Sequence, residues 1–167
     1  MWRLLTLVLL LFAAPATAQS AASPAELDWL VGEWTGDGQI FGQPSSATLA
    51  VGTATVRGWV KIDYSFRVTN VAATTAAAFM GQGLYRMTGS GKWSGRWTDS
   101  YGSSHPLAGR VNGQKLVSTW GSVDTEIGRT SYQRSADGSL EVTDQVLQAD
   151  GTWRLFARVV YRRATQR

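Results

Sequence analysis

Residues 27–40 read LDWLVGEWTGDGQI, and the change of pattern inside this stretch decides the fold. Leu27, Leu30 and Val31 put an apolar side on a short amphipathic segment that Gly32 ends, and Trp34 then opens an extended strand. Upstream, Ser23 can cap a helix, Pro24 suits its first position and Glu26 completes a capping box. A helix this short does not stand alone in water. It is expected to lie over one end of a larger body, with Trp34 packed beneath it.

That body is all β. From Glu33 onward the chain has period two, clearest where Val60, Ile62, Tyr64, Phe66 and Val68 alternate with Lys61, Asp63, Ser65 and Arg67. Asn112-Gly113, Asp137-Gly138 and Asp150-Gly151 mark tight hairpins. Runs between turn signals give about ten strands, near 33–42, 46–56, 58–69, 77–88, 92–101, 105–111, 114–120, 127–135, 139–148 and 152–162. No segment after Leu30 has helical periodicity. The expected architecture is a single closed antiparallel barrel with a short N-terminal helix covering one end. Closure also removes the exposed strand edges.

Residues 1–18 have the three parts of a secretory signal: Arg3, the apolar run Leu4 to Ala14, and Ala16-Thr17-Ala18 as a small-x-small cleavage site. The run is shorter than the ~20 residues a bilayer span needs. The expectation is therefore a periplasmic or secreted protein, cleaved after Ala18, with residues 19–23 as a leader and 24–163 as the barrel domain. No integral membrane segment is expected after cleavage. Loss of Arg3 takes one unit from the formal charge of +4. The remaining arginines are scattered and alternate with apolar residues, whereas nucleic-acid proteins gather such charge on one face. Nucleic acid is not an expected partner. There is no Cys, which excludes disulfides and thiolate chemistry, so stability must come from the core.

Tight loops also say which side chains face each other. Taking Asp150-Gly151 as a two-residue loop sets Leu140 opposite Tyr161, Val142 opposite Val159, Asp144 opposite Ala157 and Val146 opposite Leu155. Arg154, Arg158 and Arg162 fall on the other, outer face. Taking Asp137-Gly138 likewise sets Asp144 opposite Ser131, with Arg129 one diagonal step away and Glu141 meeting Arg134 outside. An interior Asp144–Arg129 pair follows, since a lone buried carboxylate is costly. That pair is either a structural bridge between strands or a polar anchor for a ligand headgroup. Around Asn112-Gly113, Leu107 faces Ser118 and His105 faces Trp120. His105, the only histidine, points inward from a strand start. It is either a hydrogen-bonding residue or a contact to ligand or metal, with Asp99 as its only plausible neighbour. A three-residue loop at Gly89-Ser90-Gly91 sets Gly83 against Trp97 and Gly81 against Asp99, leaving room for the Trp ring. Phe79, Tyr85, Met87, Trp93 and Trp97 then share the inner face. The Gly-Ser-Gly-Lys string here is not a phosphate loop: Arg86 and Trp93 stand at defining positions and no helix follows.

The string at residues 27–40 resembles the Leu-x-x-Leu-x-Gly-x-Trp-x-Gly-x-Gly opening of nitrobindin-like barrels, within the calycin-type, lipocalin-like folds, with Trp34, Gly36 and Gly38 at the matching positions. The later segments Gly95-Arg96-Trp97-Thr98-Asp99-Ser100, Trp120-Gly121, Gly128-Arg129-Thr130 and Tyr161-Arg162-Arg163 look like those of exported bacterial barrel proteins of unknown function. The resemblance implies a barrel container. Nitrobindins hold haem through a histidine near their C-terminus, and this chain has none after His105. With Tyr64, Tyr85 and Tyr161 the remaining donors worth weighing, the ligand inventory disfavours haem, and no cofactor is expected.

The leading functional expectation is a barrel that binds a small hydrophobic or amphipathic molecule in its interior. Its candidate contacts are Tyr64, Trp97, Asp99, His105, Trp120, Arg129 and Asp144. An enzyme on the same barrel would use Asp99 with His105, or Asp144 with Arg129, as acid–base pairs, but no nucleophile–base motif, cofactor loop or metal cluster supports it. A filled core with no ligand is the third reading, because seven tryptophans follow the cleavage site.

Overall fold

The computed structural model describes residues 25–69 and 78–165. The expected signal segment and leader, with Ser23 and Pro24, lie outside the described residues. Ten strands follow in chain order: β1 (Gly32–Ile40), β2 (Gln43–Thr53), β3 (Trp59–Val68), β4 (Phe79–Gly89), β5 (Lys92–Asp99), β6 (Ser104–Asn112), β7 (Lys115–Gly121), β8 (Ile127–Arg134), β9 (Leu140–Leu147) and β10 (Trp153–Arg163). Each strand pairs antiparallel with the next, and β10 closes back on β1. The result is one closed up-and-down barrel, as the turn spacing predicts.

The expected N-terminal helix is only a 3₁₀ turn, Ala25–Leu27. Its role as a cover nevertheless holds: Leu27 and Leu30 are fully buried, and Trp34 is 1 % exposed beneath them. The Trp34 indole donates to the Leu30 carbonyl at 2.9 Å, and the Arg163 guanidinium lies 4.1 Å over its ring. The expected capping box involves Ser23 and so lies outside the described residues. The Glu26 carboxylate accepts from the Gly91 amide at 3.1 Å, pinning the turn onto the β4–β5 loop. Gly36 and Gly38 are dictated by the β1–β10 seam, where a Cβ at either position would fall 2.5 or 2.0 Å from a β10 carbonyl oxygen.

Four loops depart from the simple reading. After β8 the loop spans Ala136-Asp137-Gly138, because the Ser135 amide donates to the Ser139 carbonyl and Gly138 takes φ 82°. Asp137 holds this geometry by accepting from both the amide and the hydroxyl of Ser139. One extra loop residue inverts every side chain of β8 relative to β9. Asp144 therefore faces Thr130, Ser131 faces Thr143, and Glu141 faces Gln133. The expected outer pair of Glu141 with Arg134 is replaced by Glu141 with Arg158 at 2.6 Å.

The β9–β10 loop is built identically, with Asp150 accepting from Thr152 and Gly151 at φ 81°. There a β-bulge at Phe156 restores the parity, so Asp144 does face Ala157, as expected. Before the bulge, Val146 pairs with Arg154, and Leu155 is turned out and half exposed. Between β6 and β7 the loop is Gly113-Gln114, with Gly113 at φ 55°. The register slides by two, so the faces keep their sides while Leu107 meets Trp120 and Gly109 meets Ser118. The β4–β5 loop is Ser90-Gly91 and not the expected three residues, but a bulge at Thr88 restores the expected register, Gly81 to Asp99 and Gly83 to Trp97. Met87, placed inside by that reading, is exposed at the strand end.

Candidate functional site

Inward side chains are buried towards the covered end and mixed towards the other, where Ile40 and Val146 are buried but several aromatics are not. Towards the covered end, the inward residues Leu49, Ile62, Tyr85, Trp93, Leu116, Leu140 and Tyr161 are buried. Towards the other end, Tyr64, Phe66, Phe79, Trp97, His105, Trp120 and Thr130 also point inward but keep partial accessibility. Asp144 shares that state deep on β9.

Aromatic rings line this second half on two sides. Tyr64, Phe66, Phe79 and Trp97 form one group, with Tyr64 6.5 Å from Trp97 and Phe66 5.2 Å from Phe79. His105, Trp120 and Phe156 form the other, with ring centroids 5.8 and 6.4 Å apart. Glycine sets the depth of both tryptophans. The Trp97 ring lies on Gly81 and the Trp120 ring on Gly128, each within about 2 Å of where a Cβ would sit. A larger residue at either position would push the ring into the lumen.

Below the rings lies a polar floor. Thr130 donates to Asp144 Oδ1 at 2.5 Å. Burial raises the Asp144 carboxyl to about 6, with the Thr130 hydrogen bond opposing the shift. Tyr85 donates to Ser118 at 3.0 Å and is pushed up to about 12 by burial. Burial likewise raises Tyr64, Tyr132 and Tyr161, and the Asp144 charge adds to each. These phenols stay neutral. The Tyr161 hydroxyl is fully buried without a hydrogen-bond partner.

Of the seven residues singled out from the sequence, Tyr64, Trp97, His105, Trp120 and Asp144 are brought together in the lumen. Arg129 is not. The three-residue β8–β9 loop turns it outward, where its guanidinium lies 4.2 Å over Trp153 and donates to Gln145 at 2.8 Å. The interior Asp144–Arg129 pair is therefore replaced by Asp144–Thr130. Asp99 is occupied by its own turn: it accepts from the amides of Tyr101 and Ser103 and from the Trp97 indole. No hydrogen bond joins it to His105, so neither expected acid–base pair forms. Thr130 is the residue the sequence reading missed. The signal was Asp-Gly followed by Ser139, whose hydroxyl and amide lengthen the loop by one residue.

A separate cleft of about 590 Å³ crosses the outer face of β10, β1, β2 and β3 and includes Asp37, Thr48, Arg67 and Arg162. It is open along the surface, and its lining also takes in Ala47 and Phe66. Among the described residues there is no group of three or more His, Asp or Glu side chains able to hold a metal.

Haem, which the opening motif brings into question, would need an axial donor from a short inventory. On β10, near the C-terminus, the buried inward residues are Ala157, Val159 and Tyr161. Burial works against a phenolate at Tyr161, and equally at Tyr64 and Tyr85. His105 alone offers imidazole, from the other end of the barrel.

No family model matches the chain, and no curated protein matches it in sequence. Among solved structures, its fold is similar to the crystal structure of Rv2717c from M. tuberculosis, at TM-score 0.65 and 13% identity, over 86% of this chain and 100% of that one. At that identity the likeness is one of barrel fold alone.

Proposed function

We propose that the protein is an exported, calycin-type container that holds a small, mostly apolar ligand in the accessible half of its barrel. The observation that carries this reading is the partial exposure of inward aromatics towards the uncovered end. A fully packed core buries its inward aromatics, whereas Tyr64, Trp97 and Trp120 stay partly exposed above a polar floor. An apolar chamber with a few convergent polar groups is the usual form of a small-molecule site. The outer face carries Lys, Arg, Asp and Thr, the reverse of a lipid-facing barrel. Export rests on residues 1–18, and protein taken from its native host is expected to begin at Gln19.

The lumen reading is tested with N-phenyl-1-naphthylamine, a neutral apolar fluorophore, titrated into the chain beginning at Gln19. Saturable one-to-one binding that quenches tryptophan emission is expected. Absence of saturable binding would leave the filled-barrel reading in its place.

A further inference from the structure

The floor of the lumen holds an inward carboxylate and buried phenols. Asp144 points inward opposite Ala157, a side chain too small to cover it. One of its oxygens accepts from Thr130, and among the described residues no cation lies within ion-pair reach. The groups whose charges act with it are phenols on other strands: Tyr64 on β3, Tyr85 on β4, Tyr132 on β8 and Tyr161 on β10. Tyr161 is independently unsatisfied. Its hydroxyl is fully buried and meets that of Tyr64, with no well-formed hydrogen bond to it or to another group among the described residues. Such orphaned buried atoms are uncommon and call for a partner.

We propose that the lumen takes an amphipathic amine, its ammonium head seated on Asp144 between the Tyr64 and Tyr161 hydroxyls and its apolar tail along Trp97 and Trp120. This deepens the container reading and rests on it. The chemistry is one of matching inventories. A carboxylate with spare lone pairs and two phenolic oxygens can all accept, and an ammonium supplies three donors and no acceptor. Its charge also neutralises a carboxylate that the protein leaves unpaired, and the aromatic faces above favour a cation. A carboxylate head would be repelled by Asp144. An alcohol could donate once but would leave the charge without a counterion.

Three eight-carbon probes differing only in the head separate these cases: octylamine, octanol and octanoate, each displacing N-phenyl-1-naphthylamine at pH 7.5. Octylamine is expected to compete about tenfold better than octanol, the scale of a charge-assisted hydrogen bond, with octanoate weakest. In Asp144→Asn that advantage should vanish while octanol is unchanged, and Tyr161→Phe should reduce it. Lowering the pH to 5 should reduce it too, since Asp144 takes up a proton while the alkylammonium stays charged. Octanol matching octylamine in the native chain, or an amine preference surviving Asp144→Asn, would overturn the amine assignment and leave the container intact. Failure of the fluorophore itself to bind would remove both. Should Asp144→Asn not fold, the three heads on the native chain and on Tyr161→Phe still separate an amine site from an unselective one.

Discussion

At Trp34 three demands meet in one side chain. It fills the covered end at 1 % exposure, its indole nitrogen ties the N-terminal turn to β1, and its face carries Arg163. Removing it opens a cavity that the surrounding strands cannot close, so Trp34→Ala should cost ~3–5 kcal/mol in urea unfolding. A loss under about 1 kcal/mol would be that of an ordinary surface site and would end its organising role. Asp144 behaves in the opposite sense. Its native pKa, near 6, lies above the ordinary 3.8. Between those values the native state holds more protons than the unfolded chain, so stability from this group is full below pH 4 and falls as pH rises through 6. The loss is up to ~3 kcal/mol by pH 7.5. Asp144→Asn should therefore equal the native chain near pH 4 and exceed it near pH 7.5. A difference that does not change with pH would refute the burial of that carboxylate.

At the level of strands and loops, one residue of loop length carries more consequence than any single contact. The period-two pattern locates all ten strands, and the Asp-Gly pairs locate their turns. The pairs do not by themselves state the loop length. Asp137-Gly138-Ser139 and Asp150-Gly151-Thr152 both close three-residue loops, because the aspartate binds the following hydroxyl residue as well as the backbone. On the β9 side a bulge at Phe156 cancels the extra residue, and Asp144 opposite Ala157 is legible from a two-residue count only through that cancellation. On the β8 side nothing cancels it, and Arg129 changes places with Thr130. A double-mutant cycle on Arg129 and Asp144 should accordingly give coupling under about 0.5 kcal/mol, the level of independent sites. The cycle on Thr130 and Asp144 should exceed it. Strong coupling of Arg129 with Asp144 would put the β8–β9 register in error.

For the molecule as a whole, the barrel is covered at one end by the N-terminal turn and carries partly exposed inward aromatics towards the other. Haem is the ligand that its opening motif suggests, and the donors argue against it. His105 lies beside Trp120 on the far side of the lumen from Tyr161, and burial keeps the phenols protonated. Hemin added to the purified protein is expected to give weak, non-saturating absorbance changes. A sharp Soret band at one haem per chain, lost in His105→Ala, would make His105 an axial ligand.

Local pattern was enough to determine the all-β class, the number and approximate position of the strands, the closure of the sheet and the covering role of the N-terminal turn. Alternation, turn residues and the Gly-x-Trp junction are short-range signals that each segment carries alone. The interior of the barrel was a different matter. Which of Arg129 and Thr130 meets Asp144 depends on a loop hydrogen bond from Ser139, and Asp99 is spent on its own turn. The depth of Trp97 and Trp120 depends on glycines of neighbouring strands. These are relations between segments, and a lumen is made only of such relations. Folding therefore decided the site, because each inward side chain takes its partner from a different strand.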